Sequence, residues 1–271
     1  MRVFASCAEC SRENGWDICS RGVIDLARFF LEPGRLHQGR VVITGDDAHH
    51  ITKVLRLRVG DMIECVDSSG QVHLAKIQSL GGSVQGTLEE TVESSQESPL
   101  SLTLFQGLAK GDKMDLVVQK AVELGAVEIV PFSSRYTVVK LEKKQAQSRQ
   151  ARWQRIALEA AKQSGRTRIP RVGELHTFKE LVARIEKDHA RGDLVVLAYE
   201  GEKRMGLKDL ETSGKTVSAV IGPEGGFAPE EVEELKLAGA EVCKLGPRIL
   251  RTETAGLVLL SLLGYKWGDL G

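Results

Sequence analysis

The sequence lacks a hydrophobic run long enough to cross a membrane, and it lacks an excess of charge of either sign. No apolar stretch in the 271 residues approaches the roughly 18 residues that a spanning helix needs. The 37 basic residues balance the 37 acidic ones, which excludes a uniformly basic coat for nucleic acid. With 42% hydrophobic and 27% charged residues, the composition is that of a soluble globular protein of one large or two modest domains. The cytoplasm is therefore the expected compartment.

Several standard motifs are also missing. No G-x-G-x-x-G follows a strand, so a Rossmann dinucleotide site lacks its signature. Gly214-Lys215-Thr216 resembles the end of a phosphate loop, but Asp209 stands where the first glycine should be. The adjacent rings of His49 and His50 would diverge on a helix. We therefore expect no bound metal.

The number of cysteines, five, is odd, and a chain of this length needs no disulfides to stabilise its fold. Cys65 and Cys243 lie in apolar, strand-like runs and are predicted to be buried thiols. Cys7 and Cys10 have the spacing of half a zinc site, but a second ligand pair is missing. Residues 1–22 show no apolar period and are predicted to be an N-terminal extension, with disorder as one interpretation.

Charge is unevenly distributed along the chain. Residues 1–98 hold 10 basic and 14 acidic side chains, whereas residues 135–171 hold 11 basic and only 2 acidic ones. A solvated helix face usually mixes its signs, so this basic stretch favours an anionic partner. A charged surface helix without a partner is the alternative.

Two different patterns of periodicity divide the rest of the chain. Short strands separated by tight turns predict a small β-barrel over residues 23–95, including a hairpin around Asp67-Ser68-Ser69-Gly70. A polar segment ending at Pro99 is predicted to be a linker. Strands then alternate with amphipathic helices, which predicts an α/β domain with a mainly parallel sheet over residues 99–271.

Two glycine-containing loops follow predicted strands of this domain. The first comprises Ile221, Gly222, Pro223, Glu224, Gly225 and Gly226, and the second runs from Leu245-Gly246 to Ile249, Leu250 and Arg251. Glycine lets the backbone approach a ligand, and ligands bind beyond the carboxyl ends of strands in open α/β sheets. Either loop alone is more simply a tight turn, but two such loops predict a shared pocket.

Together the two loops resemble the paired cofactor motifs of the SPOUT methyltransferases. More narrowly, the chain is similar to the RsmE family, which methylates N3 of a uridine in 16S ribosomal RNA. Further segments that fit are residues 28–30, 50–56, 119–125 and 160–166. The resemblance covers about residues 26–268, so the first 25 residues lie outside it.

The resemblance implies features that periodicity does not show. It implies a trefoil knot in the C-terminal domain, a homodimer with the knot at its interface, and a PUA-like N-terminal barrel that helps to hold RNA. It also implies S-adenosylmethionine as the cofactor, held largely by backbone groups of the two loops. The residues assigned to the cofactor are Ile221, Gly222, Pro223, Glu224, Gly225, Gly226, Leu245, Gly246, Ile249, Leu250, Thr254 and Ala255.

Methylation at N3 requires the weakly acidic uracil N3–H to lose its proton. Arg251, beside the second loop, is the candidate to stabilise the developing anion, because arginine stays charged and cannot accept the proton. Glu253 is the candidate either to accept the proton or to orient Arg251. The alternative is that the two side chains form an ion pair that caps the final helix.

Arginines on both parts of the chain are candidates to hold RNA phosphates, and solvated surface arginines are the alternative. The predicted partner is 16S rRNA within the small ribosomal subunit. The candidate residues are Arg28, Arg56, Arg58, Arg149, Arg152, Arg155, Arg166 and Arg168.

Two other functions remain open at this point. The basic stretch and the barrel fit a non-catalytic rRNA-binding assembly factor equally well, although the intact glycine loops favour an enzyme. A SPOUT methyltransferase that acts on another RNA, or on a ribose 2′-OH, is the second alternative.

Overall fold

The computed structural model of the chain describes residues 26–93, 96–212 and 214–271, and their strands form two six-stranded sheets. The predicted extension, residues 1–22 with Cys7, Cys10 and Cys19, lies outside the described residues. None of the helices in the described part is long and apolar enough to cross a membrane.

The first sheet has the hydrogen-bonded order β1-β4-β5-β6-β3-β2. All its strand pairs are antiparallel except β1 with β4. Its strands are β1 (Arg28–Phe30), β2 (Leu36–His37), β3 (Arg40–Ile43), β4 (Met62–Val66), β5 (Val72–Leu80) and β6 (Val84–Val92). Helix α1 (Gly45–His49) and a π-helical segment (His50–Val54) follow β3.

The first sheet curls around one apolar core. Phe29 from β1 and Ile43 from β3 lie near opposite ends of the strand order, yet both belong to the same buried cluster. The predicted hairpin joins β4 to β5, where the Asp67 carboxylate accepts hydrogen bonds from the backbone N–H groups of Ser69 and Gln71. The prediction of a small barrel-like β-domain is confirmed, as is the burial of the Cys65 thiol.

The second sheet is parallel throughout, with the order β12-β10-β11-β7-β8-β9. Its strands are β7 (Ser101–Gly107), β8 (Ala126–Phe132), β9 (Arg171–Val172), β10 (Leu194–Ala198), β11 (Thr216–Ile221) and β12 (Ala240–Cys243). Its helices are α2 (Lys113–Glu123), α3 (Lys143–Ser164), α4 (Phe178–Ala190), a short 3₁₀ helix (Leu207–Asp209), α5 (Pro229–Leu237) and α6 (Thr252–Trp267).

Side chains from alternate positions of these strands enter two buried clusters, one on each face of the sheet. The near-continuous apolar runs of β10 and β11 are therefore buried on both sides, as predicted for parallel strands. The predicted fold class is confirmed. Helix α4 was not anticipated, although Thr177 and Glu180 form a capping box at its start, a pattern visible in the sequence.

Helix α6 determines how the chain closes on itself. It follows β12 at one edge of the sheet, yet it packs against α2, β7 and β11. The chain therefore crosses back over β10 before α6 begins, and this crossing places the second glycine loop beside the first. The trefoil knot that the resemblance implies stays a prediction.

Candidate functional site

A cavity of about 500 Å³ lies at the carboxyl ends of β10, β11 and β12. Because the three strands are neighbours and parallel, the loops that leave them emerge at one edge of the sheet. The predicted site residues that line the cavity are Ile221, Gly222, Pro223, Glu224, Gly225, Gly226, Leu245, Gly246, Ile249, Leu250, Arg251 and Ala255. Thr254 and Glu253 do not line it; both belong to the first turn of α6.

Close backbone approaches position the first glycine loop. A Cβ atom on Gly107, the last residue of β7, would lie 2.2 Å from the backbone nitrogen of Pro223. On the other side, a Cβ on Gly225 would lie 2.6 Å from the Cβ of Tyr136. The loop is thus held between β7 and the segment that follows β8, at distances that only glycine permits.

A buried hydrogen-bond chain ties the start of α6 to this loop. The amide of Gln106 donates to the Thr252 hydroxyl at 2.8 Å, and that hydroxyl donates to the carbonyl of Gly222 at 2.6 Å. Gln106 and Thr252 are both buried, and the Oε1 atom of Gln106 has no hydrogen-bond partner among the described residues. These two hydrogen bonds fix the start of α6, and with it Arg251, relative to the first glycine loop.

Lys113 lies between two carboxylates at the edge of the cavity. Its Nζ is 3.3 Å from Glu224 Oε1 and 3.4 Å from Glu253 Oε2. The hydrogen bond to Glu224, and then the interaction with Glu253, raise the pKa of Lys113, so the ammonium stays protonated. Burial acts to raise the pKa of Glu224, but hydrogen bonds from the Lys110 N–H and from Lys113 lower it overall.

The contacts of Glu253 differ from those expected. Its buried Oε2 atom has no hydrogen-bond partner among the described residues, although the Lys113 charge is close. Arg251 occupies the N-cap position of α6 and is exposed, and within the described part of the chain its side chain forms no ion pair. The alternative of an Arg–Glu pair that caps the helix is therefore wrong, and Glu253 faces Lys113 instead.

Sequence reasoning missed part of the cavity wall. The missed lining residues are Lys113, Ala198, Tyr199, Glu200 and Lys244. Four further lining residues belong to the two predicted loop segments but were not assigned to the cofactor: Phe227, Pro247, Arg248 and Thr252. The loop after β10 could have been predicted from the sequence. Ligands bind beyond the carboxyl ends of parallel strands, and β10 was also predicted to be a buried parallel strand. Lys113 and Gly107 gave no such signal, because their proximity depends on β7 lying next to β11.

Two predicted RNA-binding arginines lie instead at the junction between the two sheets. Arg28 is buried, pairs with Glu64 at 2.7 Å and donates to the carbonyls of Gly165 and Arg166. Arg166 is also buried and pairs with Glu97 at 2.6 Å. The prediction that these guanidiniums bind RNA is wrong, because intramolecular acceptors already occupy them.

The remaining candidate arginines lie at or near the surface. Arg56, Arg58, Arg155 and Arg168 are exposed and Arg149 is half-buried. Arg152 is exposed too, but it pairs with Asp115 and lies 3.8 Å from Asp112. Part of the positive charge of α3 is therefore balanced by α2.

Two family models match the chain. The model of the RNA methyltransferase domain matches residues 96–264, and the model of the RNA methyltransferase PUA domain matches residues 43–88. The first match alone covers more than half of the sequence and includes every cavity-lining residue.

Relatives are similar over most of their length. Ribosomal RNA small subunit methyltransferase E of Bacillus subtilis (strain 168) is 38% identical over 232 residues, which is 83% of this chain and 89% of the relative. The protein of the same name from Synechocystis is 33% identical, over 86% of this chain and 76% of the relative. The crystal structure of the Neisseria gonorrhoeae ribosomal RNA small subunit methyltransferase E, bound to S-adenosylmethionine, is 33% identical with a TM-score of 0.81. That match covers 91% of this chain and 100% of the solved one.

Proposed function

The chain belongs to the RNA methyltransferase family that includes the ribosomal RNA small subunit methyltransferases E, and on that premise we propose its reaction. We propose that it transfers the methyl group of S-adenosylmethionine to N3 of a uridine in 16S rRNA. The observation that carries the proposal is the cavity at the ends of β10, β11 and β12, which brings together both glycine loops.

The residues around the cavity fit this cofactor. A sulfonium and an ammonium group are cations, and the carboxylates of Glu200 and Glu224 stand at the cavity wall. Backbone groups of Gly222 and Gly246 are accessible to an adenosine moiety because neither residue has a side chain to cover them. A volume of about 500 Å³ lies within the range of small-molecule sites, roughly 300–1,000 Å³.

When bound, S-adenosylmethionine supplies a methyl group that its sulfonium already activates for transfer. The protein's own task is to hold the base in line and to stabilise charge on it. Arg251 lines the cavity, and its guanidinium forms no ion pair within the described residues, so it is available to a uracil oxygen as N3 loses its proton. The bond between Gln106 and Thr252 keeps the backbone beside Arg251 in place.

Glu253 is the proposed proton acceptor. It lies between the cavity-lining residues Thr252 and Ala255, and its Oε2 atom, although buried, has no hydrogen-bond partner among the described residues and so keeps the capacity to accept a proton. The Lys113 ammonium, 3.4 Å away, places a positive charge beside this carboxylate before the base arrives.

For the RNA itself we propose a surface made of Arg56, Arg58, Arg149, Arg155 and Arg168. All lie at or near the surface, and no ion pair within the described part of the chain neutralises their side chains. Arginines commonly bind phosphates, and we assign these five to the RNA backbone rather than to its bases. The rRNA would meet the protein in the cytoplasm, as a component of the small ribosomal subunit.

We also propose that the protein is a homodimer through α6. The middle of this helix, residues 255–263, is apolar at every position except Ser261, which is typical of a helix covered on most sides. In the single chain, however, Leu262 and Tyr265 are exposed, the latter to 72%. A second copy of the same face would cover them.

The test incubates the purified protein with S-adenosylmethionine and small-subunit rRNA, and then maps the RNA nucleosides by mass. The expected product is 3-methyluridine at a single position. Transfer to a ribose 2′-OH or to transfer RNA alone would contradict the base and atom assignments. Calorimetry with S-adenosylmethionine addresses the binding-only alternative, which predicts no heat of binding.

A further inference from the structure

The segment between β8 and α3 carries an exposed aromatic side chain beside the first glycine loop. We propose that Tyr136, together with Arg135, is a stacking site for one unpaired base of the RNA substrate. This inference rests on the proposed function and names the part of the surface that holds the substrate near the cavity. Arg135 begins the basic stretch, but neither residue was among the individual candidates for RNA binding.

Tyr136 lies directly against Gly225 of the first glycine loop. A Cβ built on Gly225 would lie 2.6 Å from Tyr136 Cβ and 2.9 Å from its carbonyl oxygen, so the two backbones are in contact. Gly225 itself lines the cavity. A base that stacks on the Tyr136 ring therefore lies at the rim of the proposed methyl-transfer site.

Hydrogen bonds hold the turn that presents Tyr136. The Ser134 N–H donates to the Thr137 hydroxyl at 2.8 Å, and the Thr137 N–H donates to the Ser134 carbonyl at 3.1 Å. The Arg135 N–H donates at 2.8 Å to the carboxylate of Glu231, a buried residue of α5. The turn that carries the Tyr136 ring is therefore rigid, which reduces the conformational entropy that the protein loses when a ligand binds.

The side chains at this turn have the chemistry of a base-stacking site. Tyr136 is 44% exposed, and the Arg135 guanidinium lies 5.8 Å from the centre of its ring. Arg135 is itself exposed, and its contact with Glu230 spans 3.6 Å between two solvated groups. A solvated surface pair of this kind is weak, so a phosphate can displace it.

The surrounding charge favours RNA over a protein partner. Arg135 is the first residue of the basic stretch that extends to Arg171, and the neighbouring Lys140 is exposed. Single-stranded RNA is recognised by bases that stack on aromatic rings and arginine planes within a positively charged surface. Tyr136 supplies the aromatic ring and Arg135 the arginine plane, at the point where the basic stretch meets the first glycine loop.

The first experiment measures the KM for small-subunit rRNA in Tyr136→Leu and Tyr136→Phe. Stacking on one aromatic ring is worth about 1–3 kcal/mol, so the leucine variant should raise the KM by roughly 5- to 100-fold. The phenylalanine variant, which keeps the ring, should restore most of the affinity. S-adenosylmethionine affinity should change little in the leucine variant, because Tyr136 is not among the residues that line the cavity. Leu237→Ala, which alters an exposed apolar side chain outside the basic stretch, is the matched control.

The second experiment uses single-stranded RNA that contains 5-iodouridine, which cross-links on irradiation to stacked aromatic side chains. Peptide mapping should find the cross-link at Tyr136, and Tyr136→Leu should remove it. If the wild-type protein methylates rRNA while Tyr136→Leu keeps a normal KM and the cross-link maps elsewhere, the stacking site is wrong and the proposed function stands. If the leucine variant instead changes the oligomeric state, the ring covers a second copy of the chain and the stacking site is likewise wrong. A wild-type protein that methylates no RNA would overturn the proposed function itself.

Discussion

Two charged regions of the molecule, the junction between the sheets and the rim of the cavity, differ in how their charges are paired. At the junction Arg166 meets Glu97 at 2.6 Å, Arg28 meets Glu64 at 2.7 Å and Lys162 meets Asp47 at 2.7 Å. At the cavity Arg251 has no ion-pair partner within the described residues, and Glu253 has a buried oxygen without a hydrogen bond there.

This difference distinguishes structural from functional charges. A buried guanidinium needs an intramolecular acceptor, whereas an exposed one without an ion pair, such as Arg251, remains available to a ligand or substrate. At the junction, burial acts to raise the pKa of Glu97, but Arg166 and two backbone N–H groups lower it overall. The junction satisfies its charges within the chain, whereas at the cavity Lys113 pairs with Glu224 and Glu253 and the Arg251 guanidinium remains available to an external partner.

The largest expected effect is on stability, at the junction. Glu97→Ala leaves the buried Arg166 guanidinium without its carboxylate, which should lower the free energy of unfolding by about 3–5 kcal/mol. Chemical denaturation measures this change. Glu233→Ala, which removes an exposed pair with Lys236, is the control and should cost no more than about 1 kcal/mol.

The same variant has a defined pH dependence. The pKa of Glu97 is lower in the folded protein than its ordinary value of 4.5, so its contribution is fully present above that value. The contribution is lost as the pH falls through the lowered pKa. The stability gap between the wild type and Glu97→Ala should therefore shrink below about pH 4. A gap that stays constant into strong acid would show that packing, not charge, holds the junction.

The next effect is on rate, at the cavity. Arg251→Ala should lower single-turnover methylation by about 10²- to 10³-fold, because one donor to a developing anion is removed. Thermal unfolding should be unchanged, since this exposed side chain forms no ion pair within the described residues. S-adenosylmethionine affinity should remain within a few fold. Full activity in this variant would place anion stabilisation on another group.

A smaller effect is expected where close backbone packing shapes the site. Gly107→Ala introduces a Cβ where Pro223 already lies, so the first glycine loop must move. Overpacking of this kind lowers the free energy of unfolding by about 1–3 kcal/mol, and we expect weaker S-adenosylmethionine binding because the displaced loop lines the cavity. Titration calorimetry measures this, and Gly82→Ala, where nothing lies within 4 Å, is the matched control. Equal affinities in the two variants would exclude a role for the packing of β7 against the loop.

The smallest effect concerns α3. Replacing Arg149 and Arg155 with Gln should flatten the salt dependence of RNA binding, by about 0.7 in the logarithmic slope for each phosphate that is no longer neutralised. Arg152→Gln should change the slope less, because Asp115 already neutralises Arg152. If Arg152 had the larger effect, its pair with Asp115 would have to open when RNA binds.

Local patterns were enough to predict most of the elements. The spacing of Met114, Val117, Val118, Ala121 and Val122 predicted α2, and all five side chains are buried. The unbroken apolar runs of β10 and β11 predicted parallel strands covered on both faces. Both inferences succeed because periodicity depends only on backbone geometry and on which face meets the core.

Side-chain roles were predicted less well. Arg28 and Arg166 were grouped with the other arginines because a sequence shows charge but not burial. The segment before Pro99, predicted as a linker, contributes Glu97 to the junction. Glu253 was paired with Arg251 because they are close in sequence, whereas its neighbour in space is Lys113, 140 positions earlier.

The sequence by itself determined the class of the fold, the two glycine loops and the family to which they belong, because these depend on short-range patterns of residues. Tertiary structure alone decided which charges are paired, since ion pairs form between residues far apart in the chain. The order of the strands places β11 between β7 and β10, which brings Lys113 and Glu200 to the cavity and Gly107 against its first loop. A strand order is a property of the whole packed sheet, and no local stretch of the chain encodes it.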